Sequence, residues 1–186
     1  MKTIEVEITG TTPLLMNSPK SMLDKKAFVT NTNQKSTYED DAEKVAYKND
    51  AGNLFVPCQA IKGSMINASS FKKIGKFAAK SIIASGVRII PLEIEILDLK
   101  GKIIKDYEID LRTVVVQRTN RVVKARPKIN KWKLQFEMLY NEKLIAETAI
   151  ISTILEDAGE RVGILDFRPQ HNGDFGCFQI TKFKVK

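Results

Sequence analysis

The clearest alternation in the chain runs from Lys131 to Met138, where Trp132, Leu134, Phe136 and Met138 oppose Lys133, Gln135 and Glu137. A period of two places these side chains on opposite faces, so the segment predicts a half-buried strand with Trp132 on its core side. Lys2 to Thr9 repeats the pattern, with Ile4, Val6 and Ile8 against Glu5 and Glu7. Gly10 to Pro19 (GTTPLLMNSP) ends that strand, and its Leu14, Leu15 and Met16 require burial. Lys20 to Phe28 fits a short helix. Val29 to Thr37 is polar and without period, which predicts a loop. Thr37 to Lys48 carries acids first and lysines last, the order a short helix favours.

Asp50 to Gly52 reads as a turn, and Leu54 to Val56 as an extended piece closed by Pro57. Ile61, Met65, Ala68 and Phe71 then recur at helical spacing, predicting a helix over Gln59 to Lys73. Ile74 to Ile83 stays ambiguous. Gly86 to Leu97 is β-rich with Pro91 inside it, which predicts an edge strand or a bulge. Ile103 to Gln117 and Arg121 to Ala125 predict a hairpin or long ribbon turning near Thr119 and Asn120, closed by Pro127. A second helix stripe runs through Ile150, Ile151, Ile154, Leu155 and Ala158, with Gly159 placed as its C-cap. A glycine-punctuated stretch and a final strand, Cys177 to Val185, complete the chain.

Without insertions the order is strand, helix, strand, strand, helix, strand. This predicts an α+β fold of the ferredoxin-like β-α-β-β-α-β type, a four-stranded sheet with two helices on one face. The 186 residues are expected to form one domain. One insertion, about 10–55, separates the first strand from the first helix. The other is the ribbon, about 102–128, between the second and third strands.

Charge sharpens the picture. Arg112 to Lys133 holds eight basic residues (Arg112, Arg118, Arg121, Lys124, Arg126, Lys128, Lys131 and Lys133) and no acid. The chain has 30 Lys+Arg and 22 Asp+Glu, so 22 of each sign remain outside this window. The net charge of +8 is therefore read as one local feature, suited to a polyanion. The plainer alternative is a solvated strand edge guarded against aggregation. Equal numbers of Arg and Lys and the missing acids favour the polyanion. Cys58 and Cys177 have no metal spacing, so neither a zinc site nor a disulfide scaffold is expected. No apolar run is long enough for a membrane span, no leader is evident, and the expected location is the cytoplasm. No cofactor motif is present.

The chain resembles the RAMP superfamily of CRISPR-associated proteins, whose core is RRM-like, and specifically the backbone subunits that line guide RNA. Gly52 to Asn67 (GNLFVPCQAIKGSMIN) is similar to the family's G-x-x-[VI]-P-G-S-[SA]-[LI]-K-G entry into the first helix. Phe55, Val56, Pro57, Ile61, Lys62 and Gly63 match, and Cys58 replaces a usual Gly. The ribbon stands where those subunits carry a thumb that presses on RNA, and Gly159 to Phe178 resembles their glycine-rich loop. ITGTTPLLM, ARPKINKW, AGERVGILDFRP and GDFGCF resemble, more closely still, proteins of phages, prophages and archaeal mobile elements that bring no established activity.

Some RAMP relatives cut RNA. His171, beside Arg168 and Asn172, is the one histidine and a conceivable general base, but the family's histidine lies near the first helix. Target-cleaving backbone subunits use an aspartate in the first insertion, where Asp24, Asp40 and Asp41 are candidates. Asp40 and Asp41 read equally as helix N-terminal acids.

The resulting expectation is a non-catalytic binder of single-stranded RNA or DNA, without sequence preference, through Arg112, Arg118, Arg121, Lys124, Arg126, Lys128 and Lys131. The resemblance adds Lys62 and Arg168, together with head-to-tail assembly into an oligomer or filament along the strand. Three alternatives remain open: a RAMP-type endoribonuclease, a mimic of a CRISPR subunit that binds CRISPR-type host proteins, and an OB-fold single-strand binder.

Overall fold

The computed structural model describes residues 1–19, 37–116 and 120–186, and only the backbone of 115, 116, 120 and 121. The expected helix over Lys20 to Phe28 and most of the expected loop after it lie outside the described residues, as does Asp24.

Strand β1 (Lys2–Gly10) buries Ile4, Val6 and Ile8 and turns Glu5 and Glu7 to the other face, as alternation requires. Two residues, Leu14–Leu15 (β2), pair outside the main sheet. Helix α1 (Tyr38–Lys44) opens with Thr37 and Asp40 capping each other's backbone amides. Strand β3 (Phe55–Pro57) leads directly into α2 (Cys58–Ala68), which buries Cys58, Ile61, Met65 and Ala68. The helix stops five residues short of Lys73, with Ser69 as C-cap. Phe71 is 98% exposed, so its helical spacing was fortuitous. The ambiguous stretch after it forms a small hairpin, β4 (Lys73–Ile74) and β5 (Phe77–Ala78), and then α3 (Ala79–Gly86).

Strands β6 (Val87–Ile90) and β7 (Glu93–Leu97) are one ladder interrupted at Pro91, and both pair with β10. The ribbon is β8 (Glu108–Val116) against β9 (Asn120–Ile129), then comes β10 (Lys133–Tyr140). Ile103 bridges to Leu97 and does not belong to the ribbon. Pro127 lies inside β9. The Pro127 carbonyl accepts from the Met16 N–H at 2.9 Å, so its missing N–H faces the β2 side, past the end of that short strand, and costs β8 no bond. Helix α4 (Thr148–Asp157) runs on into a wide turn, Ala158–Val162, and β11 (Phe178–Val185) ends the chain. Gly159 is consequently not a C-cap. A Cβ there would lie 2.1 Å from the Phe178 carbonyl oxygen, so glycine is needed for close approach to β11.

The sheet order is β11-β1-β10-β7-β3, with β6 also on β10. Its centre is the ferredoxin-like arrangement expected, all antiparallel. The sheet is larger than four strands because the second strand is split and β3 adds an edge. Core side chains of β1 and β10 pair directly: Ile4 with Met138, Val6 with Phe136, Ile8 with Leu134. Trp132 is fully buried and donates its indole N–H to the Thr12 carbonyl at 2.9 Å, confirming its place in the core. Among the described residues no helix is long and apolar enough to cross a membrane.

Candidate nucleic-acid interface

The ribbon leaves the body of the molecule. Leu111, Val122 and Val123 are about half exposed on it, whereas Ala125, Arg126 and Ile129 at its root are buried. Three elements hold the root. Strand β2 pairs with Lys128 and Ile129, α1 packs against β9, and the loop after the wide turn supplies side chains. From that loop, Phe175 and Phe167 lie 4.7 and 5.7 Å from the Arg112 guanidinium.

The six described basic side chains of the window separate into two groups. Four of them meet acids, from the same strand or from another segment. Arg112 meets Asp110 at 2.7 Å, Lys128 meets Glu108 at 2.9 Å, and Lys133 meets Glu7 at 3.1 Å. Arg126 is only 5% exposed and lies 3.0 Å from Asp166, with an alignment too poor for a hydrogen bond. The expectation that Arg126 contacts phosphates is corrected: burial removes it from the surface, and it braces the ribbon root. Lys124, directly across from Arg112, and Lys131, between the end of β9 and the start of β10, are exposed and have no ion-pair partner among the described residues. Arg118 and the Arg121 side chain lie outside the described residues.

Next to the root a groove of about 400 Å³ runs along α2. Gln59, Gly63 and Asn67 form one wall and Leu165, Asp166 and Arg168 the other, with Asn17 and Tyr47 at its ends. The α2 wall follows from helical period: positions 59, 63 and 67 share a stripe, next to the buried stripe of 58, 61, 65 and 68. No side chain caps α2, and its first N–H donates to the Leu92 carbonyl at 2.8 Å. The positive end of the helix thus lies beside the groove.

The opposite wall is a bent loop. Leu165 and Phe167 have φ of 60° and 50°, the left-handed region that side chains avoid. Backbone bonds hold this shape: Ile164 N–H to Gly176 O at 2.9 Å, Asp166 N–H to Leu15 O at 3.1 Å, and Phe175 N–H to Phe167 O at 3.1 Å. The Arg168 guanidinium donates to the Leu165 carbonyl at 2.6 Å and to Gln170 Oε1 at 3.1 and 3.2 Å. Burial pulls its pKa below the ordinary value, with the nearby Asp166 carboxylate opposing that shift. Burial also pushes the Tyr47 phenol up, with Asp166 adding to the shift. Lys62 is half-exposed on α2 and does not line the groove.

Among the described residues the candidate catalytic side chains Asp40, Asp41 and His171 share no hydrogen bond or ion pair. Asp40 is committed to the capping box, and its bonds to the Thr37 amide and hydroxyl hold its carboxyl below the ordinary value. Asp41 pairs with Lys44 at 3.4 Å. His171 is exposed in a short turn, its N–H bonded to the Arg168 carbonyl at 2.8 Å. No cluster of three His, Cys, Asp or Glu side chains able to hold a metal occurs among the described residues.

The sheet face turned away from the helices, where RRM proteins stack bases on aromatic rings, carries none here. It is a charge ladder. Lys182 and Lys186 lie 3.0 Å from Glu5, and Lys186 lies 2.7 Å from Glu137.

Neither the groove wall along α2 nor the Phe167–Phe175 cradle for Arg112 was anticipated from sequence. The stripe at 59, 63 and 67 is visible in the sequence once α2 is placed. The cradle depends on the fold of the 163–176 loop and left no periodic signal.

No protein-family model matches the chain, and no curated protein matches it. Among solved structures, the fold is similar to a chain in the cryo-EM structure of the Type III-B Cmr-beta bound to cognate target RNA. The TM-score is 0.62 at 15% sequence identity, over 99% of this chain. The match covers 60% of that chain's length, so the present protein corresponds to part of it. At this identity the likeness shows the fold alone, in agreement with the ferredoxin-like α+β arrangement of the sheet.

Proposed function

We propose that the protein binds single-stranded nucleic acid, RNA in the first place, through the backbone and without catalysis. The ribbon and the groove along α2 form the contact. The observation that carries this reading is a pair of exposed cations, Lys124 on the ribbon and Lys131 just after it, that lack ion-pair partners among the described residues, beside a groove into which Arg168 faces. Lys124 and Lys131, together with Arg118 and Arg121 of the same basic window, neutralise phosphates and release counterions. The α2 groove, with its helix terminus and Arg168, receives the strand where it meets the body. The preference for RNA is supported by the target RNA bound to the Cmr-beta structure of similar fold. Assembly of several copies along one strand belongs to the same proposal.

The test is fluorescence anisotropy with labelled single-stranded RNA, single-stranded DNA and duplex DNA over a salt series. The variant replaces Arg118, Arg121 and Lys124 together by Ala and spares the buried Arg126. Losing three phosphate contacts should reduce the log–log salt slope by about 2, a loss of about a hundredfold near 0.1 M salt. Unchanged binding in this variant, or no wild-type binding at low salt, refutes the reading. Sedimentation that finds only monomers on saturated RNA refutes the assembly.

A further inference from the structure

The ribbon window contains a single aromatic residue, Trp132, and it is fully buried. Base stacking, the sequence-tolerant half of single-strand binding, therefore has no platform there. A platform is present elsewhere. Phe71 is 98% exposed and Phe77 is 70% exposed, on the turn after α2 and on the β4–β5 hairpin. Lys73, Lys76 and Lys80 beside them are exposed, and none has an ion-pair partner among the described residues. Lys72 pairs with Asp157. From Ala51 to Leu92 the chain has no Asp or Glu, so this hairpin lies in a second acid-free stretch. At its foot is a hollow of about 370 Å³ floored by Ile74, Ala79, Ile150 and Ile154 and rimmed by Lys72 and Lys73.

The hairpin continues the groove. Asn67, on the groove wall, donates to Gln170 of the facing loop at 3.2 Å, and its carbonyl accepts from the Ser70 N–H at 3.2 Å. Phe71 is the next residue. A strand lying along α2 from Gln59 to Asn67 passes the Asn67–Gln170 bond, which links the two walls, before it reaches Phe71. Stable protein interfaces bury roughly 800 Å² per partner around an apolar core. Two separate rings between free lysines suit a run of bases and phosphates better.

We propose that Phe71 and Phe77, with Lys73, Lys76 and Lys80, form a second contact for single-stranded nucleic acid, in which the rings stack on bases and the lysines hold phosphates. The proposal rests on the reading of the ribbon and groove as a nucleic-acid interface. The ring contact supplies affinity that salt does not weaken, and the lysines supply the salt-dependent part.

The test uses single-stranded RNA with two variants, Phe71→Ala/Phe77→Ala and Lys73→Ala/Lys76→Ala/Lys80→Ala. Loss of the rings should weaken binding about tenfold per stacked base at an unchanged salt slope. Loss of the lysines should reduce the slope by about 2. Phe77→Trp should retain affinity and be quenched by the strand, against the constant signal of buried Trp132. If the wild type binds and both hairpin variants bind equally well, the hairpin contact is refuted and the ribbon reading stands. If the ring variant keeps its affinity but loses self-association, the hairpin is a protein contact and the proposal falls. If the ribbon variant binds like wild type while the hairpin variants fail, the hairpin stands and the ribbon reading falls.

Discussion

On the open sheet face Lys133, Lys182 and Lys186 each lie within 3.1 Å of a carboxylate from a neighbouring strand. On the ribbon and on the β4–β5 hairpin and the start of α3, Lys124, Lys73, Lys76 and Lys80 have no such partner among the described residues. Residue type is the same in both places, and what differs is the sheet. Cross-strand register sets Glu5 and Glu7 among the lysines of β10 and β11, and the pairs close locally. On the ribbon the acids of β8, Glu108 and Asp110, lie at the root, so Lys124 has none across from it, and the short β4–β5 hairpin carries no acid at all. Unpaired cations are therefore more numerous off the main sheet, although Arg88 and Lys184 on its open face also have no ion-pair partner among the described residues, and where the chain leaves the sheet a polyanion has something to gain.

The ribbon root lies between these two regimes and tests the comparison most severely. Arg126 is buried, and its one carboxylate partner among the described residues is Asp166. Asp166→Ala strands that guanidinium and should lower unfolding stability by about 2 to 3 kcal/mol in urea titration. Arg126→Met/Asp166→Leu should recover much of the loss, because an apolar pair needs no charge partner. An Asp166→Ala protein as stable as wild type would show that water already reaches Arg126 and that the root is not braced by this pair.

Arg168 comes next in expected effect. Its guanidinium is anchored on the Leu165 carbonyl and on Gln170 and fronts the groove. Arg168→Ala should weaken RNA binding about tenfold, with a stability loss of about 1 kcal/mol from the broken bonds. Arg168→Lys keeps the charge without the fork, so affinity recovered by Lys would assign the effect to charge and not to shape. Equal affinity in all three would remove the loop wall from the interface.

Alternating strands were the most legible part of the chain. Ile4, Val6 and Ile8, and Trp132 through Met138, each state a buried face in a period of two, and register follows once both are paired. The helix after Pro57 was legible in place but not in length, because the Phe71 spacing extends a stripe that the fold abandons at Ser69. Basic residues were legible as a window, but pairing was not. The acids that neutralise Arg112, Lys128 and Lys133 are Asp110, Glu108 and Glu7, all outside the window, and nonlocal register brings two of them across strands. The acid-free stretch around the Phe71–Lys80 hairpin is present in the sequence, but the exposure of its rings is a property only the fold reveals.

The smallest effects are expected on the open face, where they are also the most diagnostic. Hydrogen bonds from Lys186 and Lys182 hold the Glu5 carboxyl at about 2, against an ordinary 4.5. Because the folded value is the lower one, the ladder's contribution is complete above the ordinary value and fades as pH falls from there toward 2. A carboxyl-detected titration of the folded protein should find Glu5 still ionised where ordinary glutamates have taken up their protons. In Lys182→Ala/Lys186→Ala the Glu5 pKa should return toward 4.5, while RNA affinity stays within about twofold of wild type, since exposed pairs already closed have little to offer a phosphate. A large loss of affinity in that variant would mean that RNA opens the ladder and uses the sheet face. The distinction between neutralised and free cations would then no longer locate the interface.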